Sequence, residues 1–234
     1  MDKELEKNFN KGVLALDEGN WLLAVQYFRK CVEIDSSYIP AYLEMADIFY
    51  HNGQHEAALR EINNALVIDP KDPEATFALG NVYVSQGRHK DALRVFKRME
   101  TEAPEYAPEL FYNMGVAYKA LGYPDLALDY LNLALEDDPS YYECLEVMGK
   151  IHLDAGRLDE AKKAFLEYIE ADPGNINVHH MLGELYTKQL LWKPAIEEWE
   201  KVLSLSPNTD EAQVAKKFLS DAKDQRSKEG QGKD

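Results

Sequence analysis

Six alanines recur along this chain at intervals of 34 or 35 residues: Ala24, Ala58, Ala92, Ala127, Ala161 and Ala195. A period of that length marks one small supersecondary unit copied in series. It restricts the fold to a stacked array and the function to what the surface of such an array can do. The identity of any partner is not written in the period.

Composition allows the array. Of the 234 residues, 45% are apolar, enough for a continuous core, and the 14 tyrosines recur largely with the repeat. The formal net charge is −16, from 26 Lys and Arg against 42 Asp and Glu. With no segregated basic stripe, that charge repels nucleic-acid phosphates and anionic membrane surfaces. Neither is an expected partner. The acidity reads first as a solvated exterior. Cys31 and Cys144 lie about three repeats apart, beyond the reach of a disulfide in a stacked array. They read as small buried residues in a reducing compartment. Residues Met1 to Lys7 contain no apolar signal region, and no apolar run approaches a membrane span. The sequence reads as that of a cytoplasmic chain, or of one from which a leader preceding residue 1 has been removed.

Each repeat reads as two helices. In the segment from Asp72 to Pro104, Asp72 is a good N-cap, Pro73 suits the first helical position and Glu74 sits in the favourable first turn. Phe77, Leu79, Gly80, Tyr83 and Val84 then fall at helical intervals. Gly87 ends this first helix. A second begins near His89, carries Ala92, Leu93 and Phe96, and stops before Ala103-Pro104.

Small residues recur in the first helices (Gly12, Ala46, Gly80, Gly115, Gly149, Gly183), where they let helix backbones approach closely. Large residues follow each alanine by four: Phe28, Ile62, Phe96, Leu131, Phe165 and Trp199. They are expected to fill the gap between neighbouring repeats. Gly19, Gly53, Gly87, Gly122 and Gly156 serve the turn between the two helices. Leu190 replaces glycine in the last such turn, which is therefore expected to be longer or differently shaped.

These residues resemble the tetratricopeptide repeat. Leu79-Gly80-x-x-Tyr83, Met114-Gly115-x-x-Tyr118 and Leu182-Gly183-x-x-Tyr186 match the first part of that pattern. Ala24-x-x-x-Phe28, Ala92-x-x-x-Phe96 and Ala161-x-x-x-Phe165 match the second, and Pro70, Pro104, Pro139, Pro173 and Pro207 the third. The resemblance covers residues 5 to 207. It implies an all-α fold, a right-handed superhelical α-solenoid of about six helix-turn-helix repeats. The boundaries expected are 5–38, 39–72, 73–107, 108–141, 142–175 and 176–209. The departures are local. The first repeat ends at Ser36 without proline, His152 stands at an aromatic position, and one extra residue falls in Glu105-Tyr106-Ala107-Pro108, where it should alter the stacking angle. After Pro207, residues 210–223 read as a capping helix with Ala212, Ala215, Phe218, Leu219 and Ala222 on one face. The array would then occupy 1–224, and 225–234 read as a disordered tail.

Catalytic and cofactor constellations are missing. The sequence holds no phosphate-binding glycine loop, no Gly-x-Ser-x-Gly elbow and no His-Glu-x-x-His helix. His51 and His55 flank a turn glycine and should not share a helix face, and His179 and His180 should point in different directions. No metal site, cofactor or catalytic residue is expected. Glu146 and Lys150, four apart, should satisfy one another.

In the family, the first helices line the concave surface. Carried onto this chain, one line of positions reads Phe9, Leu43, Phe77, Tyr112, Glu146 and His180. The next reads Val13, Asp47, Asn81, Val116, Lys150 and Glu184. A third reads Leu16, Tyr50, Val84, Lys119, Leu153 and Thr187. The candidate binding surface takes fourteen residues, Phe9, Asn10, Leu43, Asp47, Tyr50, Phe77, Asn81, Tyr112, Asn113, Val116, Lys119, Lys150, His180 and Glu184, with Asn10, Asn81 and Asn113 available to bond a peptide backbone. Alternatively, Phe9, Leu43, Phe77 and Tyr112 simply pack against the next repeat. One subclass of the family clamps the acidic C-terminus of cytosolic chaperones with Lys, Arg and Asn. The corresponding positions here are Phe9, Val13, Glu44, Glu74 and Ala78, or, one repeat later, Leu43, Asp47, Ala78, Glu109 and Asn113. Neither set could hold a carboxylate. The expected role is a non-catalytic, protein-binding scaffold, a monomer taking a neutral or basic peptide or helix. The alternative is a self-assembling homo-oligomer, against which the polar last helix argues.

Overall fold

Asp72 sets the start of a first helix as its residue type predicts. In the computed structural model, which describes residues 2–231, its carboxylate accepts the Ala75 backbone N–H at 2.7 Å, and Pro73 occupies the first helical turn. Asn20 and Asn175 cap two other helices by accepting from Leu23 and Val178. Each such bond satisfies one of the donors that a helix N-terminus leaves open.

The described residues form helices and turns, with no strand among them. The chain divides into two compact units, Met1–Tyr123 and Pro124–Asp234. The boundary falls inside the fourth expected repeat. The first unit holds α1 (Lys3–Asp17), α2 (Trp21–Ile34), α3 (Ile39–His51), α4 (His55–Ile68), α5 (Pro73–Ser85), α6 (His89–Glu102) and α7 (Ala107–Ala120). The second holds α8 (Pro124–Asp137), α9 (Glu143–Asp154), α10 (Leu158–Ala171), α11 (Ile176–Lys188), α12 (Trp192–Leu205) and α13 (Asp210–Gln231). The extra residue after Pro104 is taken up in a short 3-10 turn, Pro104–Tyr106.

The small and large residues meet inside hairpins. The expectation that the large residues fill the space between repeats is corrected by where their rings lie. A methyl group added to Gly12 would stand 2.5 Å from Phe28 Cε1, and one added to Gly183 would stand 2.6 Å from Trp199 Cε2. The same overlap arises between Gly80 and Phe96 and between Gly149 and Phe165. In these four hairpins the ring on the second helix therefore rests on the bare backbone of its own first helix. The second hairpin carries the smaller combination Ala46 and Ile62, both buried. Burial of each large side chain contributes about 1.5–3 kcal/mol. In the first unit Phe28, Ile62, Phe96, Met45 and Met99 are fully buried, and in the second Phe165, Leu182 and Trp199.

The turns correct a second expectation. The five turn glycines hold φ between 69° and 80°, and Leu190 joins them at 59°. The Leu191 N–H reaches the Tyr186 carbonyl at 2.9 Å, just as the Asn20 N–H reaches that of Ala15 at 2.7 Å. The last turn is neither longer nor of another shape. Its leucine is instead held in the left-handed region, where a Cβ crowds the following carbonyl. Leu190 is 62% exposed, so its side chain contributes little packing. Leu190→Gly is expected to stabilise the protein by about 1 kcal/mol, measured by urea denaturation.

α13 covers the last hairpin. Phe218 stacks on Trp199 with centroids 5.1 Å apart and planes 12° from parallel, while Ala212, Ala215 and Ala222 are buried. Lys223 bonds Glu200 at 2.9 Å. The helix continues to Gln231, through residues that composition assigned to a disordered tail. Gln225, Arg226 and Lys228 are good helix formers and no proline interrupts them. Residues 232–234 of the expected tail lie outside the described residues.

Candidate functional site

Within the first unit, the neighbouring first helices α3 and α5 enclose a groove of about 650 Å³. Leu43, Tyr50 and Phe77 give it apolar walls, with Ala46, Ala78 and Ile62 among its lining. Glu44, Asp47, Glu74, Asn81 and His51 also line it, and no lysine or arginine does. The spacing explains the convergence. Leu43, Asp47 and Tyr50 are four and three apart on α3, and Phe77 and Asn81 are four apart on α5, so each set shares one helix face.

Five of the fourteen expected site residues therefore meet here: Leu43, Asp47, Tyr50, Phe77 and Asn81. Phe77 has a second attachment, since its ring lies 5.2 Å from that of Tyr106 and 6.1 Å from that of Phe96. It is part core and part groove wall. Phe9 is held by Phe28 and Tyr38, with centroids at 5.4 and 5.5 Å. Packing against its neighbours accounts for that ring. Asn10 is exposed, and Tyr112, Val116 and Lys119 on α7 are half-buried.

Asn81 and Asn113, both expected to be free for a peptide backbone, are bonded to each other. The Asn113 amide donates to Asn81 Oδ1 at 2.9 Å, tying α7 to α5. Asn81 keeps its amide donors.

The other three expected residues lie in the second unit. Lys150 pairs with Asp154 at 3.0 Å. Glu184 pairs with Lys188 at 3.0 Å. His180 stands edge-on to Trp199 at 4.9 Å, while its neighbour His179 is buried. His179 Nε2 donates to the Pro173 carbonyl at 3.0 Å, and Nδ1 lies 2.6 Å from Glu198 Oε2.

Glu44, Glu74 and His51 were missed as groove residues. The signal was present: Glu44 lies three before Asp47, and Glu74 three before Phe77. His51 contacts Asp47 at 3.2 Å on the exposed rim. Glu44 is half-buried. Burial raises its carboxyl pKa above the ordinary 4.5, and the charges of Asp47 and Glu74 push in the same direction. A carboxyl whose folded pKa is raised weakens the fold above that pKa and has no effect below its unfolded value. Glu44→Gln should therefore raise the melting temperature at neutral pH. The gain should shrink as pH falls through the raised value and vanish below about 4.5. Calorimetric melts at several pH values check it.

Among the described residues no cluster of His, Cys, Asp and Glu is placed to hold a metal ion, and no helix is long and apolar enough to cross a membrane. Both cysteines are buried and unpaired. Burial pushes the Cys144 thiol up to about 12, helped by Glu143, so its thiolate is not populated near neutral pH.

A family model described as TPR repeat matches residues 46–87, and three described as tetratricopeptide repeat match 8–38, 75–104 and 120–185. The chain belongs to the tetratricopeptide repeat family and has its all-α solenoid fold. It is 25% identical over 207 residues to the TPR repeat-containing protein YpiA of Bacillus subtilis (strain 168), a match covering 88% of this chain and 47% of that protein. It spans about half or less of the length of the curated relatives it matches first. Among solved structures, the type IV pilus biogenesis factor PilW superposes with a TM-score of 0.83 at 16% identity, over 92% of this chain and 99% of that one. That likeness is one of fold. YrrB, described as a TPR protein with an unusual peptide-binding site, has a TM-score of 0.58 at 29% identity, over 81% and 97%.

Proposed function

We propose that the chain is a non-catalytic scaffold whose first-helix face takes a neutral or basic peptide or helix of another protein. The observation that carries this reading is the α3–α5 groove, open, walled by Leu43 and Phe77 and large enough for side chains of a bound segment. The description of YrrB as peptide-binding supports it. The acidic lining weighs against a chaperone C-terminus, whose carboxylates would meet Glu44, Asp47 and Glu74. The two unpaired cysteines support a reducing, cytoplasmic setting.

The test is selection of binders from a display library of random twelve-residue peptides, with acetylated and amidated copies measured by fluorescence anisotropy. Leu43→Ala together with Phe77→Leu should weaken those binders at least tenfold and leave the helical circular dichroism unchanged. Unchanged affinity in the double variant, or loss of the fold in place of loss of binding, would assign these side chains to the core and remove the groove.

A further inference from the structure

Three carboxylates and no lysine or arginine line the α3–α5 groove. Two of them, Glu44 and Asp47, come from α3 and the third, Glu74, from α5. Asp47 meets only His51, on the exposed rim. Glu44 makes no hydrogen bond or ion pair among the described residues, although it is half-buried. It stands close enough to Asp47 and Glu74 to be repelled by both. A groove that served only to bury an apolar side chain would be more stable with neutral groups at these positions. The arrangement places uncompensated negative charge beside the apolar surface of Leu43 and Phe77. Low-dielectric walls focus such a field into the cleft.

Building on the groove reading above, we propose that the partner segment presents an arginine flanked by apolar residues. Its guanidinium sits among Glu44, Asp47 and Glu74, and an apolar neighbour rests on Leu43 and Phe77. A guanidinium fits this lining better than an ammonium. Its five donors can serve more than one carboxylate, and its flat face tolerates contact with an aromatic ring. Asn81, whose oxygen is taken by Asn113, retains N–H groups for a carbonyl of the segment. Binding relieves the repulsion at Glu44, so affinity and complementarity have the same source.

The experiment uses the library-selected peptides and the full chain. Selected sequences should be enriched in arginine next to an apolar residue. Exchanging that arginine for norleucine should weaken binding at least tenfold, and Glu44→Gln with Glu74→Gln should do the same while raising the melting temperature. The effect of the exchange should shrink in the doubly neutralised protein, because the lost partner is common to both. Peptides that depend on Leu43 and Phe77 but show no arginine enrichment, or bind the Gln variant equally well, overturn this inference and leave the groove reading standing. A library that yields no binder sensitive to Leu43 and Phe77 overturns both.

Discussion

Replacing His179 with leucine is expected to destabilise the protein by about 1–3 kcal/mol, the usual cost of leaving buried polar groups without their hydrogen-bond partner. His179 is 1% exposed and Glu198 9%. The imidazole engages acceptors through both nitrogens, Glu198 Oε2 at 2.6 Å and the Pro173 carbonyl at 3.0 Å. Leucine leaves the Glu198 carboxyl without its buried partner, with Lys201 at 3.6 Å on the rim. It also removes the donor to Pro173, at the connection that leads into α11. The double variant His179→Leu with Glu198→Leu removes both polar groups together and should recover most of the loss. Urea denaturation of the four proteins of this cycle gives the coupling. A single-variant loss under about 1 kcal/mol would show that the pair is solvated in solution.

Gly80→Ala is expected to lose about 1–3 kcal/mol, although alanine is the better helix former by roughly 1 kcal/mol. The added methyl overlaps the edge of the Phe96 ring, which is fully buried and cannot swing away. The second hairpin indicates the remedy, because it carries Ala46 with Ile62 where the third carries Gly80 with Phe96. Gly80→Ala combined with Phe96→Ile should therefore be more stable than Gly80→Ala alone. If the single variant melts above the parent, the ring has room to move and the close approach of α5 and α6 is not set by the glycine.

Local chemistry was the most legible part of this chain. Asp72 caps α5, Pro73 follows it, and the turn glycines stand where the period places them, because each of these roles is decided within a few residues. Leu190 was misread because the hydrogen bonds of the turn hold a conformation that leucine alone would avoid. The tail was misread because composition weighs polarity, while α13 is continued by helix formers beyond its buried face. The placing of Leu43, Asp47 and Tyr50 on the groove face came from the family resemblance carried onto this chain, but the acidity of the groove did not. It needs α3 and α5 side by side before Glu44, Asp47 and Glu74 can feel one another. Two pairings, His179 with Glu198 and Asn113 with Asn81, join residues on different helices, and no interval along the chain announces them.

The seating of each ring on the glycine of its own hairpin has a bearing on how such a chain changes length. A duplicated or excised hairpin brings its own lock with it, so a new copy inserts without requiring a matching substitution elsewhere. Shape is inherited one hairpin at a time, while the side chains facing outward from the first helices remain at liberty to diverge.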